Sequence, residues 1–270
     1  MAFEAVNLSE RTGAEIRGSV EDVLAPGAGR ALRKVLVDRG VLVFRGINLS
    51  DEQQVALAGS IGTVRDEGKD HIHKITLDRN ENQTADYLRG SFNWHLDGTH
   101  DAIPVFASLL GARTLSEEGG QTMFANSYAA YEELPEETKR KIEGRKAVHS
   151  VEVSMRRAGI EETEYNLAYW RSLPDRAHNI VWTHENGRKS LVIGCHASHI
   201  EGMDHDEGDK LLQELLDWTT QPRFVHRHEW TPGDLLIWDN TGVLHRVEPY
   251  SLESGRMMHR TTLVGEEAFA

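Results

Sequence analysis

Cysteine is nearly absent: Cys195 is the only one in 270 residues, so no internal disulfide can brace the chain and no CxxC pair offers redox chemistry. No apolar run is long enough for a secretory signal or a membrane span, and the opening stretch MAFEAVNLSERTGAEIRG is interrupted by charges. Positive charge is the scarcer sign. The 30 Lys and Arg stand against 43 Asp and Glu, a formal net charge of −13 spread along the chain, which disfavours nucleic acid and anionic membrane as partners. Linker-like Pro/Gly/Ser stretches, internal repeats and an HExxH motif are also missing. These absences predict one domain over residues 1–270, in a reducing cytoplasm, acting on a small molecule with neither a nucleic acid nor a membrane as partner.

With 39% hydrophobic and 27% charged residues, the chain has enough apolar material for one buried core. Leu32, Val35 and Leu36 follow a helical period that ends at Gly40, and the run Val41 to Phe44 reads as a buried strand directly after it. Ser50 and Gln53 form a capping-box pattern that opens a helix through Leu57, with Gly59 to Gly62 as its stop. Residues 65–90 are polar and charged; Ile72 to Leu77 reads as a strand and the remainder as loop, a lid in form. Helices are also predicted from Pro135 to Gly144 and from Asp206 to Trp218, the latter with Leu211, Leu212, Leu215 and Leu216 on one face. Short β segments follow one another elsewhere: Phe106 to Gly111, Thr122 to Ala125, Val181 to Thr183, Leu191 to Ile193, Phe224 to Trp230, Leu235 to Trp238 and Met257 to Val264. Many short strands with a few flanking helices predict a mainly β fold, a jelly roll with helical insertions.

In Asn93-Trp94-His95-Leu96-Asp97-Gly98-Thr99, an imidazole and a carboxylate stand two residues apart, so on an extended backbone both side chains point the same way. His245 lies beyond the strand and turn of Leu235 to Asn240, which can return it across a barrel as a third ligand. Two histidines and one carboxylate on one face of an octahedral ion make the facial triad of non-haem iron(II) oxygenases. A single His-x-Asp is weak by itself in a chain with 14 histidines. The plainer alternative is a hydrogen-bonded His95–Asp97 pair on a strand, with His245 a satisfied core residue.

Longer stretches carry a resemblance. NWHLDGTH at Asn93 to His100, EEGGQTMFANSYAAYEELP at Glu117 to Pro135 and HENGRKSLVIG at His184 to Gly194 occur in order. WTPGDLLIWDNTGVLHR at Trp230 to Arg246 and GRMMHRTTLVG at Gly255 to Gly265 follow, with VLVFRG at Val41 to Gly46 nearer the start. Together they resemble the taurine/alpha-ketoglutarate dioxygenase family, whose fold is a cupin-like double-stranded β-helix. The resemblance implies iron(II) held by His95, Asp97 and His245, and the cosubstrates 2-oxoglutarate and dioxygen. It also implies that Arg256 grips the distal carboxylate of 2-oxoglutarate with help from Thr122, a task suited to a guanidinium fork. The implied reaction hydroxylates an aliphatic C–H bond of a small anionic substrate, a sulfonate, sulfate ester, aryloxy acid or other carboxylate, with succinate and carbon dioxide as co-products. The carboxylate of Asp97 favours hydroxylation over halogenation. A homodimer or homotetramer is the assembly such relatives suggest.

Arg260 is the candidate partner for the substrate anion, with a brace on the cosubstrate or a structural role as its alternatives. The segment TVRDEGKDHIHK at Thr63 to Lys74 departs from the pocket-lining pattern of taurine-acting relatives, which makes taurine itself a poor expectation. His71, His73, Ser91 and His100 are the remaining candidate pocket residues. Trp230, Trp238 and the 211–216 leucines read as core, Cys195 as a small buried hydrophobe, and Asp239 with Asn240 as the shapers of the turn before His245. A zinc hydrolase and a non-catalytic small-acid sensor on the same fold are the competing readings; the hydrolase has no need for Arg256 together with Thr122, and the intact triad argues against a decayed, sensing site.

Overall fold

Alternation along the central strands decides which way each residue faces. In Leu235–Asp239, Leu235 and Ile237 join a core that includes Leu32, Leu36, Leu57 and Ile61, whereas Leu236 and Trp238 join Phe124, Val243 and Met258. Val41–Phe44 divides in the same manner, with Leu42 and Phe44 on the first side and Val41 and Val43 on the second. Each strand is therefore buried on both faces, and the continuous apolar run in the sequence serves two different cores.

The computed structural model describes residues 3–82 and 85–269. Among them a seven-stranded sheet has the order Glu4–Asn7, Ala14–Arg17, Val41–Phe44, Leu235–Asp239, Ala107–Thr114, Met257–Thr262, His73–Ile75. Its pairs are antiparallel except Ala14–Arg17 with Val41–Phe44. Facing it across the second core is a three-stranded sheet, Val225–His228, Thr122–Asn126, Val243–Val247. Helices Ala28–Arg39 and Asp51–Ile61 cover the outer face of the large sheet. Helix His205–Thr219 packs Leu211, Leu212 and Leu215 with Trp182, Ile193 and Leu244 behind the small one. The double-stranded β-helix expected from the sequence is present, flanked by helices. None of the helices is long and apolar enough to cross a membrane, among the described residues.

Several boundaries differ from the sequence expectation. The capping box at Ser50 and Gln53 forms, but its helix continues to Ile61, because Gly59 is accommodated inside it and Gly62 caps it. The strand expected at Leu191 to Ile193 pairs earlier, as Lys189–Leu191 against Val181–Thr183. Residues 65–82 and 85–90 carry regular structure where mostly loop was expected: Lys69 bridges Ile72 around a tight turn, His73–Ile75 adds an edge strand, and a 3-10 helix runs over Ala85–Phe92. His95 lies on no regular strand. It makes an isolated antiparallel bridge with His245, and Asp97 opens the turn that follows.

The connection between the two sheets sets the position of His245. After Asp239 the chain turns, with the Asp239 carboxylate accepting from the Thr241 amide and Asn240 donating to the Ser108 hydroxyl. The chain then enters the small sheet with Val243 inward, Leu244 outward and His245 inward again. Gly242 permits the turn because a Cβ there would overlap the ring of buried Tyr128. The Tyr128 hydroxyl is held by Thr241 at 2.7 Å, so the ring has little room to retreat. Gly242→Ala is expected to destabilise the fold by about 1–3 kcal/mol in urea unfolding, the usual range for overpacking. Wild-type stability in that variant would mean that the ring yields.

Candidate active site

His95 and His245 exchange both backbone hydrogen bonds, His95 N–H to the His245 carbonyl at 3.1 Å and His245 N–H to the His95 carbonyl at 2.9 Å. Their rings lie 4.1 Å apart, centroid to centroid. Trp94 anchors the other side of the segment, its carbonyl accepting from the Cys195 amide at 2.8 Å. His95 Nδ1 donates to the Asn93 carbonyl at 2.9 Å, which leaves the Nε2 lone pair free. That Nε2 lies 3.6 Å from one Asp97 oxygen, and His245 Nε2 lies 3.7 Å from the other. One donor atom from each of the three residues falls within 4.8 Å of the others, a grouping unique among the described residues.

The protonation states suit a cation. Burial pushes His245 down to about 3, with His95 adding to the shift and Asp97 opposing it. Burial works to raise Asp97, yet His245, His95 and Arg260 hold it below the ordinary carboxylate value. A neutral imidazole at His245 and an ionised Asp97 carboxylate are the forms that bind metal, and the nitrogen and oxygen donor set fits a divalent first-row ion.

A cavity of about 80 Å³ joins these three residues to Thr122, Trp238, Tyr250, Arg256 and Arg260. Arg256 is 3% exposed. One of its terminal nitrogens donates to the Gly120 carbonyl at 3.1 Å, and its guanidinium stands 4.8 Å from the Tyr250 ring centroid. No carboxylate lies within ion-pairing distance among the described residues, and its Nε has no hydrogen-bond partner. Gly120, at φ +78, permits this approach: a Cβ there would sit 2.9 Å from the Arg256 Nε. Thr122 faces the same space, its hydroxyl oxygen accepting from Trp230 Nε1 at 3.0 Å, so its proton remains available. A buried cation with no anion beside it, next to a free hydroxyl, fits one end of a dicarboxylate.

A second cavity, about 390 Å³, opens on the other side of His95 and Asp97 and shares Leu88, Ser91 and Arg260 with the first. Leu173, Met155, Tyr169 and Leu88 give it apolar walls, while His100, Ser150 and His149 bring polar groups. The structure thus brings Ser91, His100 and Arg260 to the metal set, and it places His71 and His73 elsewhere. His71 is exposed, with its Nδ1 3.3 Å from the Arg65 carbonyl, and it lines neither cavity. His73 belongs to a separate groove of about 790 Å³ with Asp51, Lys69 and His259, which contains none of the three candidate ligands. Arg260 donates to Glu67 at 2.9 Å, and its buried Nε has no partner among the described residues.

Trp230 and Trp238 do more than fill core, since one holds Thr122 and the other lies 4.9 Å from the His245 ring. Tyr250, Leu88, His149 and His196 had no sequence signal: the first two lie in unpatterned segments, and the histidines were two among many. The Cys195 thiol is buried, as expected of a small hydrophobe.

The family model for the taurine catabolism dioxygenase TauD, TfdA family matches residues 4–262. The chain is 35% identical over 267 residues to the alpha-ketoglutarate-dependent 2,4-dichlorophenoxyacetate dioxygenase of Burkholderia sp. (strain RASC), covering 92% of this chain and 89% of that protein. It is 30% identical to the (S)-phenoxypropionate/alpha-ketoglutarate-dioxygenase of Sphingobium herbicidovorans, covering 99% and 96%. Among solved structures, AAD-2 in complex with Mn(II) and N-oxalylglycine superposes with a TM-score of 0.86 at 32% identity, over 100% of both chains.

Asp97→Ala is expected to weaken Mn(II) binding, measured by calorimetry on folded protein, by more than the roughly 10–100-fold typical of losing a neighbour that only orients a ligand. Unchanged affinity would remove Asp97 from the ligand set.

Proposed function

The chain belongs to the taurine catabolism dioxygenase TauD, TfdA family and is a 2-oxoglutarate-dependent dioxygenase, and we propose that His95, Asp97 and His245 hold its iron(II) while Arg256 and Thr122 hold 2-oxoglutarate. With dioxygen, iron and 2-oxoglutarate supply the hydroxylation of an aliphatic C–H bond, leaving succinate and carbon dioxide. The single observation that carries the reading is Arg256: a buried guanidinium without an acidic partner, in the same small cavity as the three ligands. A zinc hydrolase would leave that charge without a task, whereas a small-acid sensor would use it and have no need of the three metal ligands.

The residues divide the work between two cavities. Arg256 and Thr122 orient the oxo-acid from the smaller cavity. The substrate enters the larger space, where Leu88, Met155, Tyr169 and Leu173 exclude water from the reacting carbon and Arg260 pairs with the substrate's anionic group. Glu67 fixes the Arg260 side chain through one terminal nitrogen and leaves Nε free. Apolar walls with one cation suit an aryloxyalkanoate, the type of acid named for the two relatives, better than the small, fully polar taurine. Hydroxylation at the carbon beside the ether oxygen would yield a hemiacetal that collapses to a carbonyl compound and a phenol. Residues 1–270 act as a single domain in this reading, and the lone buried thiol suits the cytoplasm.

Succinate release from 2-oxoglutarate, measured with 2,4-dichlorophenoxyacetate, 2-phenoxypropionate, an alkyl sulfate and taurine, is expected to be strongest with the aryloxy acids. Arg260→Met should raise KM for the preferred acid by about tenfold or more, the scale of a lost charged hydrogen bond, with a smaller change in kcat. An unchanged KM would mean that the anion is held elsewhere.

A further inference from the structure

Three buried or nearly buried histidines, His149, His178 and His196, lie behind the turn that carries Asp97, and none belongs to the metal set. Their hydrogen bonds determine where two of their protons reside. His196 Nε2 lies 3.1 Å from the Leu96 backbone nitrogen, whose N–H can only donate, so that ring nitrogen carries no proton. A neutral His196 therefore holds its proton on Nδ1. That atom lies 2.7 Å from His149 Nδ1, so His196 donates and His149 accepts. The proton of a neutral His149 is left on Nε2.

Both rings are neutral. Burial, helped by neighbouring His178, brings His149 down to about 3, and burial with the nearby histidines holds His196 well below its ordinary value. His149 is 1% exposed, and its Nε2 has no hydrogen-bond partner among the described residues. The nearby His178 ring donates through Nε2 to the Thr99 carbonyl and makes no hydrogen bond to His149 Nε2. His149 lines the 390 Å³ cavity beside Ser150, whose hydroxyl makes no bond to cap the helix that follows. A buried donor without an acceptor is unfavourable unless something else supplies one.

We propose that His149 is a specificity-determining residue, whose Nε2–H donates to a neutral oxygen of the bound substrate. This rests on the assignment of the larger cavity to substrate. Arg260 serves the anionic group, and an uncharged imidazole N–H suits an uncharged acceptor; the apolar walls receive the remainder of the molecule. The substrate class that satisfies all three is an anion with an ether or ester oxygen between its charged group and an apolar body.

The test compares two acids that differ in that oxygen alone, 2,4-dichlorophenoxyacetate and 3-(2,4-dichlorophenyl)propanoate. Binding is measured by anaerobic calorimetry to the protein loaded with Mn(II) and 2-oxoglutarate. His149→Phe is expected to raise the Kd of the ether acid about tenfold and to change that of the methylene analogue less than about twofold, the signature of one hydrogen bond. Equal effects on both acids, or none on either, would overturn the proposal while leaving the substrate cavity in place. Failure of the wild type to bind either acid would remove the aryloxy-acid reading and this inference with it. A second measurement needs no variant and serves if His149→Phe does not fold. In the Zn(II)-loaded wild type, long-range ¹⁵N–¹H correlation of the histidine rings should show His149 as the Nε2–H tautomer, with that resonance shifting on addition of the ether acid. A Nδ1–H tautomer, or no shift at saturation, would overturn it.

Discussion

The two backbone hydrogen bonds between His95 and His245 are the constraint on which the rest depends. They attach an irregular segment to the free edge of Val243–Val247 and set two imidazoles side by side, although 150 residues of chain separate them in the numbering of the sequence. Asp97 follows two positions later in a turn, and its carboxylate swings back between the two Nε2 atoms. The bridge is in turn supported from both sides: by the alternation that faces His245 inward, and by the Cys195 amide that holds Trp94. A metal ion needs its donors placed to within a few tenths of an ångström. Here backbone pairing fixes where the two histidine side chains begin.

Charge pairing then distinguishes the two arginines of the site. The smaller cavity contains an unpaired guanidinium, Arg256, whereas Arg260, which lines both cavities, is paired with Glu67, which offsets part of its charge. Burying an unpaired cation is costly in a folded protein. The cost is understandable if a dicarboxylate completes the site. The guanidinium that meets a variable substrate has its own internal partner, so it remains oriented before any substrate arrives. A site that must bind the same oxo-acid in every turnover can leave its counter-ion to that molecule.

The sequence made the apolar framework legible and the polar framework much less so. Val41–Phe44 and Leu235–Asp239 were readable because burial on both faces requires unbroken apolar runs, and Ser50 with Gln53 because a capping box is a local signal. Lys146–His149, Arg176–Asn179 and Ala197–Ile200 form a sheet but escaped notice, since strands this short and polar depend on pairing partners far along the chain. The tight turn at Lys69–Ile72 was hidden for a related reason: Asp70 and His71 adopt positive φ without a glycine to advertise it. In the site, His95 and Asp97 could be paired by spacing, although on a bridge and turn instead of the extended strand assumed. Arg256 had no readable role from composition or spacing; only the resemblance supplied one, and the lack of an acidic partner now gives it a physical reason. His149 and His196 were invisible, because tautomers are set by three-dimensional contacts.

The central claim is that one site holds both iron(II) and 2-oxoglutarate through this chain's own residues. Its most direct test is an anaerobic titration of the apo-protein with iron(II) and 2-oxoglutarate, following the visible metal-to-ligand charge-transfer absorption. The band should form with wild type, fail with His245→Ala, and require a much higher 2-oxoglutarate concentration with Arg256→Gln. A folded wild-type protein that gives no band, or an Arg256→Gln variant that saturates at the wild-type concentration, would contradict the account.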